Sequence, residues 1–184
     1  MFTGIVQAVG RIVRASPLEV DSGRLDLAGV TVGDSLCVQG VCLTVTATRA
    51  RGFTAHVSAE TLRVTAGLDR PGDVNLEKSI ALGEPLGGHL VTGHVDGVGE
   101  VAHRQGGVVS IGLPGELARY VARKGSICVD GVSLTVNRID GEAFEVNLIP
   151  HTLESTTLAR LAPGVRVNLE VDLIARYVER MLHR

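Results

Sequence analysis

The chain has 184 residues, 45% of them hydrophobic and 21% charged, and a net charge of −2. That profile fits an ordinary globular protein, with length for one medium domain or two small ones. There is no basic stripe to neutralise phosphates, and three Phe, two Tyr and no Trp give few platforms for stacking bases, so nucleic acid is not the expected partner.

No apolar run reaches the roughly 18 residues of a membrane helix, so no membrane partner is expected. Arg11 and Arg14 follow the apolar N-terminal stretch, the reverse of a secretory signal. Cys37, Cys42 and Cys128 form no C-x-x-C pair and no disulfide framework, which predicts reduced thiols and a cytoplasmic location.

In chain order, short runs rich in Val, Ile, Leu and Thr predict strands over 3–13, 25–28, 36–47, 53–57 and 73–80, with a short helix at 59–64. A Gly/Pro cluster at 83–88 predicts a linker. Strands follow at 91–102, 107–113, 126–139, 143–149 and 165–172, with helices at 116–123 and 150–158, the latter opened by Pro150. Arg51-Gly52 and Asp140-Gly141 are expected as equivalent hairpin turns, where Gly supplies positive φ. The final stretch, 172–184, predicts a helix capped by Asp172, with Arg180, His183 and Arg184 near its C-terminal end. Leu173, Ile174, Tyr177, Val178, Met181 and Leu182 share a stripe there. It either packs on its own domain or meets other subunits, and the second is favoured because each barrel should close its own core.

The chain repeats itself. Residues 37–45 match residues 128–136 except that Gln39 becomes Asp130 and Cys42 becomes Ser133. Thr3-Gly4 matches Thr92-Gly93, and residues 74–77 are identical to 167–170. The expected architecture is all-β: two homologous barrels over 1–86 and 87–171, then a helix over 172–184. Dinucleotide, phosphate-loop and nucleophile-elbow motifs are absent, and His89, His94 and His103 fit no standard metal spacing. Thr3 and Thr92, Cys42 and Ser133, Thr44 and Thr135, and Thr61 and Thr152 stand at matched positions. Thr and Ser are common in strands. Four matched pairs nevertheless suit recognition of a polar heterocycle in an apolar cleft, once per repeat. The copies differ where Ile5 becomes His94, His56 becomes Asn147 and Glu60 becomes His151. Unequal handling of two like molecules is what a dismutation requires.

Met1 to Val6, Gly40 to Val45, Gly88 to Val95, Lys124-Gly125, Asp130 to Val136, Leu148 to Leu153 and Val167 to Asp172 together resemble riboflavin synthase, alpha chain, in order across nearly the whole chain. The resemblance implies two six-stranded Greek-key barrels and a C-terminal helix that gathers three subunits. It implies a reaction in which one 6,7-dimethyl-8-ribityllumazine gives a four-carbon unit to another, yielding riboflavin and 5-amino-6-ribitylamino-2,4-pyrimidinedione without cofactor or metal. Carried over by position, the first barrel's lumazine meets Gly4, Ile5 and Val6, Cys42, Leu43 and Thr44, and His56, Val57, Ser58, Ala59, Glu60 and Thr61. The second barrel's meets Gly93, His94 and Val95, Lys124, Ser133, Leu134 and Thr135, and Asn147, Leu148, Ile149, Pro150, His151 and Thr152. The implied site lies between the N-terminal barrel of one subunit and the C-terminal barrel of another, with Phe2, Ser35, Cys42 and Thr44 facing His94, Ser133, Thr135 and Asp172.

Within that site His94 is a candidate for proton transfer or for ring orientation alone, with Ser133 or Cys42 as proton shuttle or nucleophile. Thr44 and Thr135 complete the polar set, and Asp172 either orients a neighbour or only caps the helix. The resemblance leaves association with a lumazine synthase shell open. The competing reading is a non-catalytic lumazine- or flavin-binding protein on the same fold.

Overall fold

The structure is a computed structural model that describes residues 1–182, so His183 and Arg184 lie outside the described residues. The first repeat forms β1 (Ala8–Ala15), β2 (Leu18–Asp21), β3 (Ser35–Val38), β4 (Val41–Arg49), β5 (Gly52–Ala55), α1 (Ala59–Val64) and β6 (Gly72–Lys78). The second forms β7 (Gly97–Gln105), β8 (Val108–Gly112), β9 (Ser126–Val129), β10 (Val132–Asp140), β11 (Ala143–Asn147), α2 (Pro150–Ser155) and β12 (Arg166–Val171), followed by α3 (Leu173–Leu182). Each set of six strands closes into an antiparallel barrel, β1-β2-β5-β4-β3-β6 and its counterpart β7-β8-β11-β10-β9-β12. Closure leaves no open strand edge.

Alternation drives the strands. In β4 Val41, Leu43 and Val45 are buried while Thr44 and Thr46 face outward, and β10 repeats the pattern with Val132, Leu134 and Val136. Phe53 and Phe144 stand at equivalent positions in the two cores. A third cluster of Phe2, Cys37, Val91 and Cys128 lies apart from both.

Several expectations are corrected. The runs 36–47 and 126–139 are each two strands, broken at Gln39-Gly40 and Asp130-Gly131, where all four residues take positive φ. The second strand is Leu18–Asp21; residues 25–28 are a loop, although Leu25 is buried. Gly52 does not supply positive φ. It opens β5, where a Cβ would stand 2.0 Å from the Val20 carbonyl oxygen; Gly141 does turn, with φ of 58°. The helix expected over 150–158 breaks at Thr156 into α2 and a 3-10 turn, and the one expected over 116–123 is a 3-10 turn over Gly115–Tyr120.

The barrels are knitted together by duplicated contacts. The Asn75 amide donates to the Asp130 carbonyl at 2.8 Å, and Asn168 donates to the Gln39 carbonyl at 2.9 Å. Gly40 and Gly131 meet there so closely that a Cβ on either would lie within 2.9 Å of the other's backbone nitrogen. An ion pair between Arg160 and Asp73 joins the barrels at the surface.

α3 is oriented against the usual rule. Arg176 pairs with Asp96 and Glu179 with Arg119, tying two of its charged residues to the body. Ile174, Tyr177, Val178, Met181 and Leu182 face out, with exposures of 50% to 76%. The Asp172 carboxylate accepts from the Ile174 N–H at 2.9 Å, the cap the sequence predicts.

Candidate functional site

Two extended arms build the site. The expected strands at 3–13 and 91–102 begin only at Ala8 and Gly97, because residues 3–6 and 92–95 leave their own barrels. Phe2 and Val91 exchange backbone hydrogen bonds at 2.7 and 3.1 Å, and the arms cross on either side of that bridge. The first arm lies on β10, where the Ser133 N–H donates to the Gly4 carbonyl at 2.8 Å. The second lies on β4, where the Cys42 N–H donates to the Gly93 carbonyl at 2.9 Å. Val6 packs on the second barrel's core and Val95 on the first's.

A buried carboxylate pins each arm. The Thr3 N–H and hydroxyl both donate to Glu77 at 2.7 Å, and the Gly4 N–H donates to it at 3.0 Å. Thr92 and Gly93 make the same three bonds to Glu170, at 2.7, 2.7 and 2.9 Å. Burial raises both carboxyl pKa values, and the three donors partly oppose it. Gly4 and Gly93 have φ of 75° and 77°, and a Cβ on them would sit 2.6 Å from the Cβ of Ser133 and 2.7 Å from that of Cys42. These are positions only glycine fits.

The crossing regroups the residues that counting by repeat puts together. Gly4, Ile5 and Val6 belong with Ser133, Leu134 and Thr135, whereas Gly93, His94 and Val95 belong with Cys42, Leu43 and Thr44. β11 pairs with β10, so Asn147 at its end and the following Leu148, Ile149, Pro150, His151 and Thr152 extend the first face. By the same pairing of β5 with β4, His56, Val57, Ser58, Ala59, Glu60 and Thr61 extend the second, and Ser35 is opposite Thr44. Lys124 is exposed beside the β10 end, at φ of 66°, with its N–H on the Val136 carbonyl.

The outward groups fall into two kinds. Thr44, Thr135, His94 and Ile5 are exposed on the faces. Others are occupied: Thr3 and Thr92 by the carboxylates, Thr61 by the Ser58 hydroxyl at 2.9 Å, and Glu60 by Arg63. The matched hydroxyls are therefore not all free for a ligand, and Thr3 and Thr92 hold the frame. Phe2 is also corrected as a contact, since it is fully buried beside Cys37, Val91 and Cys128. Leu43, Leu134 and Leu148 point into the cores, so only their backbone can meet a ligand.

One partner was missed in the sequence. Ser133 hydrogen-bonds not to His94 but to His89, whose Nδ1 stands 2.7 Å from Oγ. His89 is buried, and burial lowers its pKa against an opposing pull from the Asp172 charge. Its Nε2 is the one buried side-chain polar atom without a partner among the described residues. Subtracting the repeat offset from position 89 leaves no residue to compare it with, so duplication gave no signal. The Gly88-His89 step beside a matched Ser was the only hint.

This double barrel with exchanged arms is the architecture of a lumazine-binding protein. The family model for the lumazine binding domain matches residues 3–79 and again 92–172, and the chain belongs to that family. A riboflavin synthase from Mycobacterium tuberculosis (strain ATCC 25618 / H37Rv) is 52% identical over 99% of this chain and 98% of its own length. One from Photobacterium phosphoreum is 44% identical, over 99% and 89%. Among solved structures, LumP complexed with riboflavin superimposes with a TM-score of 0.82 at 25% identity, covering 93% of this chain and 99% of that one. LumP complexed with 6,7-dimethyl-8-(1'-D-ribityl) lumazine gives 0.79 at 24%, and shows likeness of fold.

Proposed function

We propose that the protein is a riboflavin synthase, converting two molecules of 6,7-dimethyl-8-ribityllumazine to riboflavin and 5-amino-6-ribitylamino-2,4-pyrimidinedione by transfer of a four-carbon unit. The observation that carries this reading is the pair of equivalent faces that differ at their centres. One presents Cys42 with His94 on the adjoining arm, the other Ser133 bonded to His89. The full-length likeness to riboflavin synthases at 52% identity supports it.

The chemistry asks little of acid and base. The C7 methyl of the lumazine is acidic because its carbanion delocalises into the ring. The greater task is to hold two rings in opposed orientation, which turns a bimolecular step into a local one and supplies about 7–11 kcal/mol of the barrier. Two faces related by a pseudo-two-fold suit that task. Thr44 and Thr135 offer hydroxyls to each ring, His94 or Ser133 moves the proton, and Asp172 acts near the face that carries Ser133.

The working units are residues 1–86, 87–171 and 172–184, with one N-terminal barrel facing the C-terminal barrel of another subunit in a homotrimer. The outward apolar face of α3 supports assembly. Three free thiols support a cytoplasmic location, and no described helix is long and apolar enough to cross a membrane. A lumazine synthase shell as a further partner is tested by co-sedimentation.

Purified protein mixed with the lumazine and no added cofactor should develop flavin absorbance. Tight binding with no flavin formed would leave a lumazine-binding protein instead.

A further inference from the structure

We infer that Cys37 and Cys42 are a redox pair, which a peroxide closes into a cross-strand disulfide that withdraws the Cys42 thiol from its lumazine face. The loss of turnover this implies rests on the proposed reaction; the bond itself does not.

The hairpin sets the geometry. Cys37 on β3 and Cys42 on β4 are direct cross-strand partners, one step back from the Gln39-Gly40 turn. Leu36, Val38, Val41 and Leu43 on either side of them belong to the first core. Alternation therefore sends both cysteines out through the same side of the sheet. There Cys37 lies with Phe2, Val91 and Cys128, and Cys42 packs against that cluster. No backbone bond joins the pair, because the Cys42 N–H donates to the Gly93 carbonyl on the arm. A non-bonded pair of this kind holds its Cα atoms about 4.5 Å apart, within the roughly 4.4–6.8 Å that a disulfide spans. The Gly40 N–H points at the Cys37 sulfur, so closing the bond takes a rotation of the Cys37 side chain toward Cys42.

The two thiols have different roles. Cys42 is half-buried on the face, whereas Cys37 and Cys128 are 2% and 1% exposed. Burial also pushes the Cys37 and Cys128 thiols up, which keeps them protonated. Cys42 is thus the sulfur that meets an oxidant, and Cys37 the one that resolves it. The duplication makes the device one-sided. In the second barrel the same register sets Cys128 opposite Ser133, and a hydroxyl cannot form the bond.

The chemistry balances with hydrogen peroxide as oxidant. The Cys42 thiolate attacks one peroxide oxygen, the O–O bond breaks, and hydroxide leaves to become water. Cys42 is then a sulfenic acid, oxidised by the two electrons that reduced the peroxide. Cys37 next attacks the Cys42 sulfur as its own proton departs, with the Gly40 N–H steadying the developing charge. The S–S bond forms, the S–O bond breaks, and the second hydroxide leaves with that proton as water. A dithiol reductant returns two electrons and restores both thiols.

Peptide mapping of the full chain tests the bond directly. Trypsin leaves Cys37 and Cys42 together in the peptide 25–49 and Cys128 in 125–138. After peroxide, peptide 25–49 should be lighter by two hydrogens, and the three free thiols should fall to one. Lumazine affinity and riboflavin formation should drop about tenfold and recover with dithiothreitol. Cys37→Ser should start with wild-type activity and lose it to peroxide irreversibly, as Cys42 oxidises further. Cys128→Ser should respond as the wild type does. A link between peptides 25–49 and 125–138, three thiols surviving peroxide, or a closed disulfide with unchanged lumazine affinity would overturn the inference. If Cys37→Ser fails to fold, the wild-type map and its recovery with dithiothreitol decide. A wild-type protein that makes no riboflavin would sink the proposed reaction, while the map and the lumazine affinity still test the pair.

Discussion

Glycine 93 shows how closely the candidate site depends on single residues. Its φ of 77° disfavours any side chain, and an added Cβ would stand 2.6 Å from the Cys42 nitrogen. Gly93→Ala should therefore lose roughly 2–4 kcal/mol in urea unfolding and weaken lumazine binding; unchanged stability would show that the arm is not clamped against β4. Asp130 gives a second prediction. Burial raises its pKa from 3.8 to about 7, against bonds from the Asn168 N–H and from Gln39. In the folded state the proton is held between those values, whereas the unfolded chain has released it. The stability this proton contributes is full below 3.8 and is lost as pH rises through about 7. Asp130→Asn should remove that decline, so that the variant gains on the wild type as pH rises and the gap levels off above about 7. Parallel stability curves for the two proteins would contradict it. Such residues were only partly legible. Glu77 and Glu170 were visible as repeated letters, but a carboxylate on an inward position reveals its partners only once the arm has folded over it.

The arms and the terminal helix are where elements matter most. Alternation of Val, Leu and Thr was enough to find most strands, because barrel interiors impose a period of two. It could not show that residues 3–6 and 92–95 leave their own barrels. An extended arm and a strand present the same pattern, and only the partner's identity distinguishes them. The same limit hid β2, four residues between Pro17 and Ser22 with little room for a pattern. α3 was legible as an amphipathic helix, and the structure adds which way it faces. Arg176 and Glu179 hold it to the barrel while Ile174, Tyr177 and Met181 are left in solvent. Truncation after Leu173 should give monomers on sizing chromatography with weak turnover and intact barrels by circular dichroism. A truncated protein that still elutes as a trimer would contradict the role given to the helix.

Taken whole, the molecule is a duplication whose halves depend on each other. Asn75 and Asn168 reach across to the opposite hairpins, each arm completes the other barrel's face, and Phe2 is buried where the arms meet. Two faces built by the same rules and altered at Cys42, Ser133 and His89 would bind the same molecule twice and treat it in two ways. The duplicated letters revealed the two faces. The crossing was not legible, because it depends on contacts between residues far apart in the chain, such as Gly4 with Ser133. The most direct test is the product balance when purified protein consumes 6,7-dimethyl-8-ribityllumazine without any added cofactor. One riboflavin and one pyrimidinedione should appear for every two lumazines lost. Equal molar conversion of lumazine to riboflavin, or lumazine held without conversion, would contradict it.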